Sequence, residues 1–453
     1  MTQTGYDTGD PAVDDALADL AATDPTTADL AADGFTALTW GSGLKAVSLR
    51  GLQDYLWYQM PYKHGEPLAH QRATAQALGA LFDRLSRPRY ADTCRGPVTD
   101  QVLAAYAADD NTGLAAYRKA LTSGGVEPPD LPDLLVWGGL LGVEEHAAFW
   151  VVADHLERAI DTGVYTPGGA GWRTAAARAA AEVLTVPRLD LHGDTYLDRI
   201  HAERRERWAH SRGPTRAALT EQVLPLLADD PPVPDDAEQH LTQIRWFLTR
   251  CDGDGAQLTV NHTLSRALLT EACHRFNWLI LGKQAPPENQ LPEAHHLRGI
   301  ADQLDATRRR GRRLLLTTRG RHLLDADTPT LWAAVTAALI PADPAEAAAA
   351  EIMLMRLLTG PPPRYDDPPV VADALGGEGW TTDDGPLTRD YTGWLTGPLF
   401  GRLDFLGLQG KPSLTGRSPL TPTGQAAAVH ALRHRAQAPP PTSLTGSHQA
   451  CRA

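Results

Sequence analysis

Leu49, Leu52, Leu56 and Met60 recur at i, i+3, i+7 and i+11, the spacing that lines one face of a helix, and Pro61 then reads as its stop. Similar stripes run over 73–85, 98–106, 131–141, 146–160, 172–184 and 200–208, separated by Gly/Pro/Asp punctuation such as 124–130 and 166–169. Residues 39–228 therefore read as an all-helical domain, a bundle of about six to eight helices. The Asp/Pro stretch 229–235 reads as a linker. Residues 1–38 are rich in Asp, Thr, Ala and Gly and carry little apolar surface, which predicts a disordered acidic tail. A second disordered tail, 438–453, is expected after the Pro439-Pro440-Pro441 run.

Beyond the linker, short strand-like runs alternate with helices, and one pattern recurs: Leu-Thr, two residues, Gly, then an apolar helix. It stands at Leu316-Thr317-Thr318-Arg319-Gly320 and at Leu420-Thr421-Pro422-Thr423-Gly424, with a weaker echo at Leu258-Thr259-Val260-Asn261-His262. Thr421 is a good N-cap, and Pro422 falls at the first helical position, where no N–H is needed. Before the first copy, Leu297, Ile300, Ala301 and Leu304 predict an amphipathic helix over 293–304. Gly311 can then supply the positive φ of a hairpin turn, with Leu314 to Leu316 as the returning strand. Helix, hairpin, capped helix is the order of a winged helix-turn-helix. The expected architecture is mainly α: an N-terminal multi-helix domain followed by two winged-helix-like units, at 235–340 and 341–437.

The Leu-Thr-x-x-Gly junction after a basic hairpin resembles the strand-to-helix junction of many bacterial winged-helix proteins. More closely, the chain resembles a family of uncharacterised actinobacterial proteins. That likeness rests on Cys94-Arg95-Gly96-Pro97-Val98-Thr99, Gly125-Val126-Glu127-Pro128-Pro129-Asp130 and Arg309-Arg310-Gly311-Arg312-Arg313-Leu314-Leu315-Leu316-Thr317, and it covers most of 40–435. It implies a shared architecture and no particular activity.

Composition narrows the classes. Hydrophobic residues are 42% and charged residues 21%, as in a globular protein, and 6% aromatic leans against an all-β fold. The longest apolar run, 134–143, is too short to span a bilayer, and no secretory leader is visible, so the expectation is cytoplasmic without membrane contact. Cys94, Cys251, Cys273 and Cys451 are widely spaced and imply neither disulfides nor a zinc knuckle. Eight aspartates within residues 1–34 account for most of the net charge of −13, leaving the body mildly acidic. Nucleic-acid contact therefore needs a local basic patch.

One exists. Arg308, Arg309, Arg310, Arg312, Arg313, Arg319 and Arg321 place seven cations in fourteen residues with no acid among them. Their planar forks suit phosphate clamping or minor-groove entry. The expected function is accordingly non-enzymatic DNA binding, as a regulator or mobile-element-associated factor, with the 308–313 hairpin on phosphate or minor groove. The 293–304 helix would approach the major groove, presenting Glu293, His295, His296, Arg298, Asp302 and Gln303. An adaptor whose winged-helix units dock proteins, with a partner on the helical domain, stays open.

A metal-dependent hydrolase rests only on Asp190, His192 and Asp194, whose spacing reads better as a polar turn. The Glu-x-x-His pairs at Glu271/His274 and Glu293/His296 lie outside the bundle, His430 and His434 lack the Glu of a zinc protease, and Asp252-Gly253-Asp254-Gly255 lacks the closing Glu of a calcium loop. No cofactor or metal site is assigned. Tyr55, Trp57, Tyr58 and Tyr62 read as core plus interface.

Overall fold

The computed structural model describes residues 6–439 except 133, 211–212, 279–284, 365–368, 384 and 412–415, so the expected tail from 440 onward lies outside the described residues. The chain is mainly helical with small antiparallel sheets, and it divides into two compact units, Met1–Ile200 and His201–Ala453. Among the described residues, no helix is long and apolar enough to cross a membrane.

The first unit opens with α1 (Pro11–Ala21) and α2 (Pro25–Thr39). The expected acidic tail over 1–38 is thus folded from residue 11 onward. Asp10 and Asp24 are N-caps, accepting hydrogen bonds from the N–H groups of Ala12 and Thr27, and each is followed by proline at the first helical position. Val13, Leu17, Leu20 and Phe35 are buried, and Asp19 pairs with Arg84 at 2.9 Å. These few apolar residues suffice because they share one face and meet a partner.

Next come α3 (Leu49–Asp54) and a π-helix (Tyr55–His64), followed by α4 (Leu68–Arg84), α5 (Pro88–Arg95), α6 (Pro97–Ala108) and α7 (Asp110–Gly124). Pro61 does not stop the helix: the turn widens and passes through it to His64. α1 to α7 share one core; a second, around Val152, Leu156, Ala180 and Leu184, joins α8 (Val143–Asp161) to α9 (Trp172–Thr185). The stripe at 131–141 is not a helix. Pro132, Gly138 and Gly139 break it, leaving a bridge between Leu131 and Leu135.

The division between units falls inside α10 (Tyr196–His210), and α11 (Pro214–Val223) belongs to the second unit's core through Leu219 and Val223. The second unit continues with α12 (Ala237–Cys251), β1 (Ala256–Gln257), α13 (Arg266–Phe276), α14 (Pro292–Gln303), β2 (Thr307–Arg310), β3 (Arg313–Leu316), α15 (Thr318–Asp325) and α16 (Thr328–Ala337). Its later half holds α17 (Pro344–Thr359), α18 (Val370–Gly377), β4 (Thr381–Thr382), β5 (Gly385–Pro386), α19 (Arg389–Leu395), α20 (Gly397–Phe405) and α21 (Pro422–Gln437). The first three strands form an antiparallel sheet in the order β1-β3-β2.

The recurrent Leu-Thr-x-x-Gly pattern has one geometry in both copies. The Thr317 N–H donates to Ala306 O at 3.0 Å, and the Thr421 N–H to Leu408 O at 3.0 Å. Each threonine Oγ1 then accepts from the glycine N–H three residues on, at 2.9 Å in both cases. A Cβ on Gly320 would lie 1.9 Å from Ala306 O, and one on Gly424 would lie 2.0 Å from Leu408 O. The glycine is thus a packing requirement: the helix start and the segment at Ala306 or Leu408 touch through backbone. The echo at Leu258 is different, since Leu258 bridges to Leu264 and Thr259 bonds Thr263, with no capped helix between.

Beneath α11 lies a buried ionic cluster. Arg216, 0% exposed, pairs with Glu351 at 2.8 Å and Glu378 at 2.6 Å, and Glu351 also pairs with Arg435 at 2.6 Å. Several opposite charges satisfy one another, which is what makes such burial tolerable.

Candidate nucleic-acid interface

The seven arginines singled out in the sequence fall on one hairpin and the helix after it. Arg308, Arg309 and Arg310 lie on β2, Arg312 is in the turn, Arg313 begins β3, and Arg319 and Arg321 lie on α15. The turn is two residues long, with Gly311 at φ 59°, the form whose twist matches the flanking strands. Register pairs Arg308 with Leu315, Arg309 with Leu314 and Arg310 with Arg313. Side chains alternate, so Leu314 and Leu316 anchor the ribbon in the core while Arg308, Arg310 and Arg313 share the opposite face.

All five hairpin arginines and Arg321 are exposed, and Arg319 is half-buried. Arg313 donates to Gly255 O at 3.1 Å. Among the described residues, Arg308, Arg309, Arg310 and Arg312 form no ion pair. The nearby carboxylate of Asp302 is instead taken up by Thr307 Oγ1, at 3.0 Å, and by Arg298, at 3.7 Å. Arg310 and Arg313 are direct cross-strand neighbours, an arrangement that like charges disfavour. The ribbon therefore concentrates positive charge that the local structure does not neutralise. β2 is also a sheet edge, where arginines discourage pairing with another strand.

The expected groove-reading helix is not presented. On α14, His296 packs where a Cβ on Gly401 of α20 would stand, 2.1 Å away. Burial, reinforced by His295 and Arg402, pushes the His296 pKa down to about 4. Gln303 Oε1 accepts from Arg402 at 2.7 Å, and Arg298 pairs with Glu288 at 3.2 Å. Three of the six residues expected to face solvent are thus engaged. Asp302 is held as well, by Thr307 and Arg298, so only Glu293 and His295 remain. For His296 and Gln303 the approach of α20 is the cause, and residues so distant in sequence gave no sign of it.

Other candidates have local roles. Asp190 accepts two hydrogen bonds from Arg188, at 3.0 Å each, and this pairing holds its carboxyl below the usual range. Asp194 faces Arg199 at 3.8 Å, and no group of three or more His, Cys, Asp or Glu side chains suited to a metal occurs among the described residues. The 409–420 segment of the later repeat carries no comparable arginine cluster in its sequence, and Arg417 lies over the Phe400 ring at 4.0 Å. One feature has no sequence signal at all, a cleft of about 920 Å³ where Arg356, Arg364, Arg389 and Arg417 converge from four separate segments. Comparison with protein-family models, with curated proteins and with solved structures finds no match for this chain.

Proposed function

We propose that the protein binds nucleic acid through the β2–β3 hairpin, as a non-enzymatic DNA-binding regulator. The observation that carries the reading is the cluster of five exposed hairpin arginines, none of them in an ion pair among the described residues. The order α12, β1, α13, α14, β2, β3 with a β1-β3-β2 sheet supports treating 235–340 as a winged-helix unit and the hairpin as its wing. The repeated geometry at Gly320 and Gly424 supports a second such unit at 341–437. Because α20 covers much of α14, the wing rather than the helix is the contact element. Binding then depends on phosphate neutralisation and on groove width more than on base edges.

Fluorescence anisotropy with a short labelled duplex tests this. Five arginines on phosphates give a log K against log salt slope of about −4.5, and each Arg→Ser change in 308–313 removes about one from its magnitude. No binding at low salt, or binding unchanged when all five are serine, removes the proposal and leaves the adaptor reading.

A further inference from the structure

α17 ends at Thr359, and Pro361, Pro362 and Pro363 then supply no N–H to continue it and favour extended backbone. Two arginines return to this stiff segment. Arg356 folds back from the last turn of α17, and its Nη1 donates to Pro361 O at 2.9 Å. A Cβ on Gly360 would stand 2.3 Å from that Nη1, so the glycine leaves the path open. Arg417 arrives from the later loop: its backbone N–H donates to Pro363 O at 2.9 Å, and Gly416 bridges to Arg364. A Cβ on Gly416 would lie 2.8 Å from Pro363 O, so here too the close approach needs glycine.

Both arginines are half-buried, both line the cleft of about 920 Å³, and neither is in an ion pair among the described residues. The Arg417 guanidinium carbon sits 4.0 Å from the centre of the Phe400 ring, a contact that holds the group through the ring's π cloud and leaves its N–H groups for an acceptor. Neither side chain has a nitrogen that is both unsatisfied and sealed from solvent. The unspent donors, Nε and Nη2 of Arg356 and those of Arg417, are therefore within a ligand's reach. Arg364 and Arg389 add charge to the lining, each holding an interaction of its own, and Asp390 is the one carboxylate among the described lining residues. Met353, Val370 and Val371 join the prolines as apolar wall. Concave, partly apolar and mostly of one sign, such a site concentrates anions and has the size of a small-molecule pocket.

Guanidinium groups from separate segments approach an anion from different directions. The three terminal oxygens of a phosphomonoester are arranged tetrahedrally and accept from several forks at once, whereas a carboxylate's two oxygens lie in one plane. We infer that this cleft binds a small organic phosphate with an apolar or aromatic body. Arg356 and Arg417 hold the phosphate, and Met353, Val370 and Val371 take the body. The cleft and the β2–β3 hairpin stand on different segments, so either reading can fail alone.

Phenyl phosphate, benzoate, phenol and inorganic phosphate separate charge, geometry and body, and ligand-observed NMR with the full chain reads each. Phenyl phosphate binds, benzoate binds more weakly, phenol does not, and inorganic phosphate displaces phenyl phosphate only at higher concentration. Arg417→Gln and Arg356→Gln each weaken phenyl phosphate about tenfold, the loss of a charge-assisted hydrogen bond. Arg309→Ser leaves it unchanged. Asp390→Asn, at an exposed position, tightens it about threefold and carries the test should either arginine variant fail to fold. Absence of phenyl phosphate binding, equal binding of phenol or of inorganic phosphate, or affinity insensitive to all three cleft variants overturns the inference. Weaker duplex binding by Arg417→Gln reassigns the cleft to nucleic acid and overturns it as well.

Discussion

Replacing Gly320 by alanine probes the contact on which the repeated Leu-Thr-x-x-Gly pattern rests. The added Cβ would stand 1.9 Å from Ala306 O and 2.9 Å from Ala306 C, so the obstacle is backbone and cannot rotate away. Relief requires α15 to lift from the strand by about 1 Å, close to van der Waals distance. That movement stretches the Thr317 N–H bond to Ala306 O, now 3.0 Å, and the Thr317 Oγ1 bond to Asp305 O, now 2.6 Å. Two hydrogen bonds at about 1 kcal/mol each, and part of a cap worth about 1 kcal/mol, are placed at risk. Alanine's better helix propensity returns about 1 kcal/mol. The expected net loss is about 1–2 kcal/mol, which for a unit of this size lowers Tm by about 2–8 °C. Gly299→Ala is the internal control, because on α14 its Cβ would meet only Arg402 Nη2 at 3.9 Å. Differential scanning calorimetry of both variants should show opposite shifts, Gly299→Ala neutral or upward and Gly320→Ala downward. If both move together, the backbone contact is not there and the explanation of the repeat fails.

Arg216→Met leaves the fully buried Glu351 short of a counter-charge and should lower unfolding free energy by about 3–5 kcal/mol, read from the urea midpoint. His296 has a pKa of about 4 in the fold against 6.5 unfolded, so the unfolded chain binds more protons between those values. Its contribution to stability is complete above pH 6.5 and lost as pH falls toward 4. His296→Asn should therefore flatten the fall of Tm across that window, and an unchanged slope would contradict the burial of the ring. Burial pushes the Cys94 and Cys251 thiols up to about 12 and raises Cys273 as well. Iodoacetamide at pH 8 should leave all three unmodified in the folded protein and label them in urea, as mass spectrometry would record.

What the chain wrote locally, it wrote legibly. The hairpin over 307–316, its glycine turn and the Thr caps at 317 and 421 depend on groups within a few residues of one another. Periodicity misled where it was read without its breakers, as at 131–141, and where composition was allowed to outweigh it, as at 1–38. The two Asp-Pro pairs at 10–11 and 24–25 were start signals in plain view, each a cap followed by a residue that needs no N–H.

The amino-acid order by itself determined helix starts, the turn at Gly311 and the density of arginines on the ribbon, because caps, positive φ and side-chain alternation are settled within one or two turns of chain. Only the tertiary structure decided which surfaces stay open. α20 closes over α14 through Gly401 and Arg402, about a hundred residues from their partners His296 and Gln303, while the hairpin arginines stay exposed. Arg417 is an ordinary arginine in the sequence and joins Arg356 at one cleft only when 416–417 packs against 363–364. Burial is a property of packed neighbours, and distant neighbours leave no mark on local pattern.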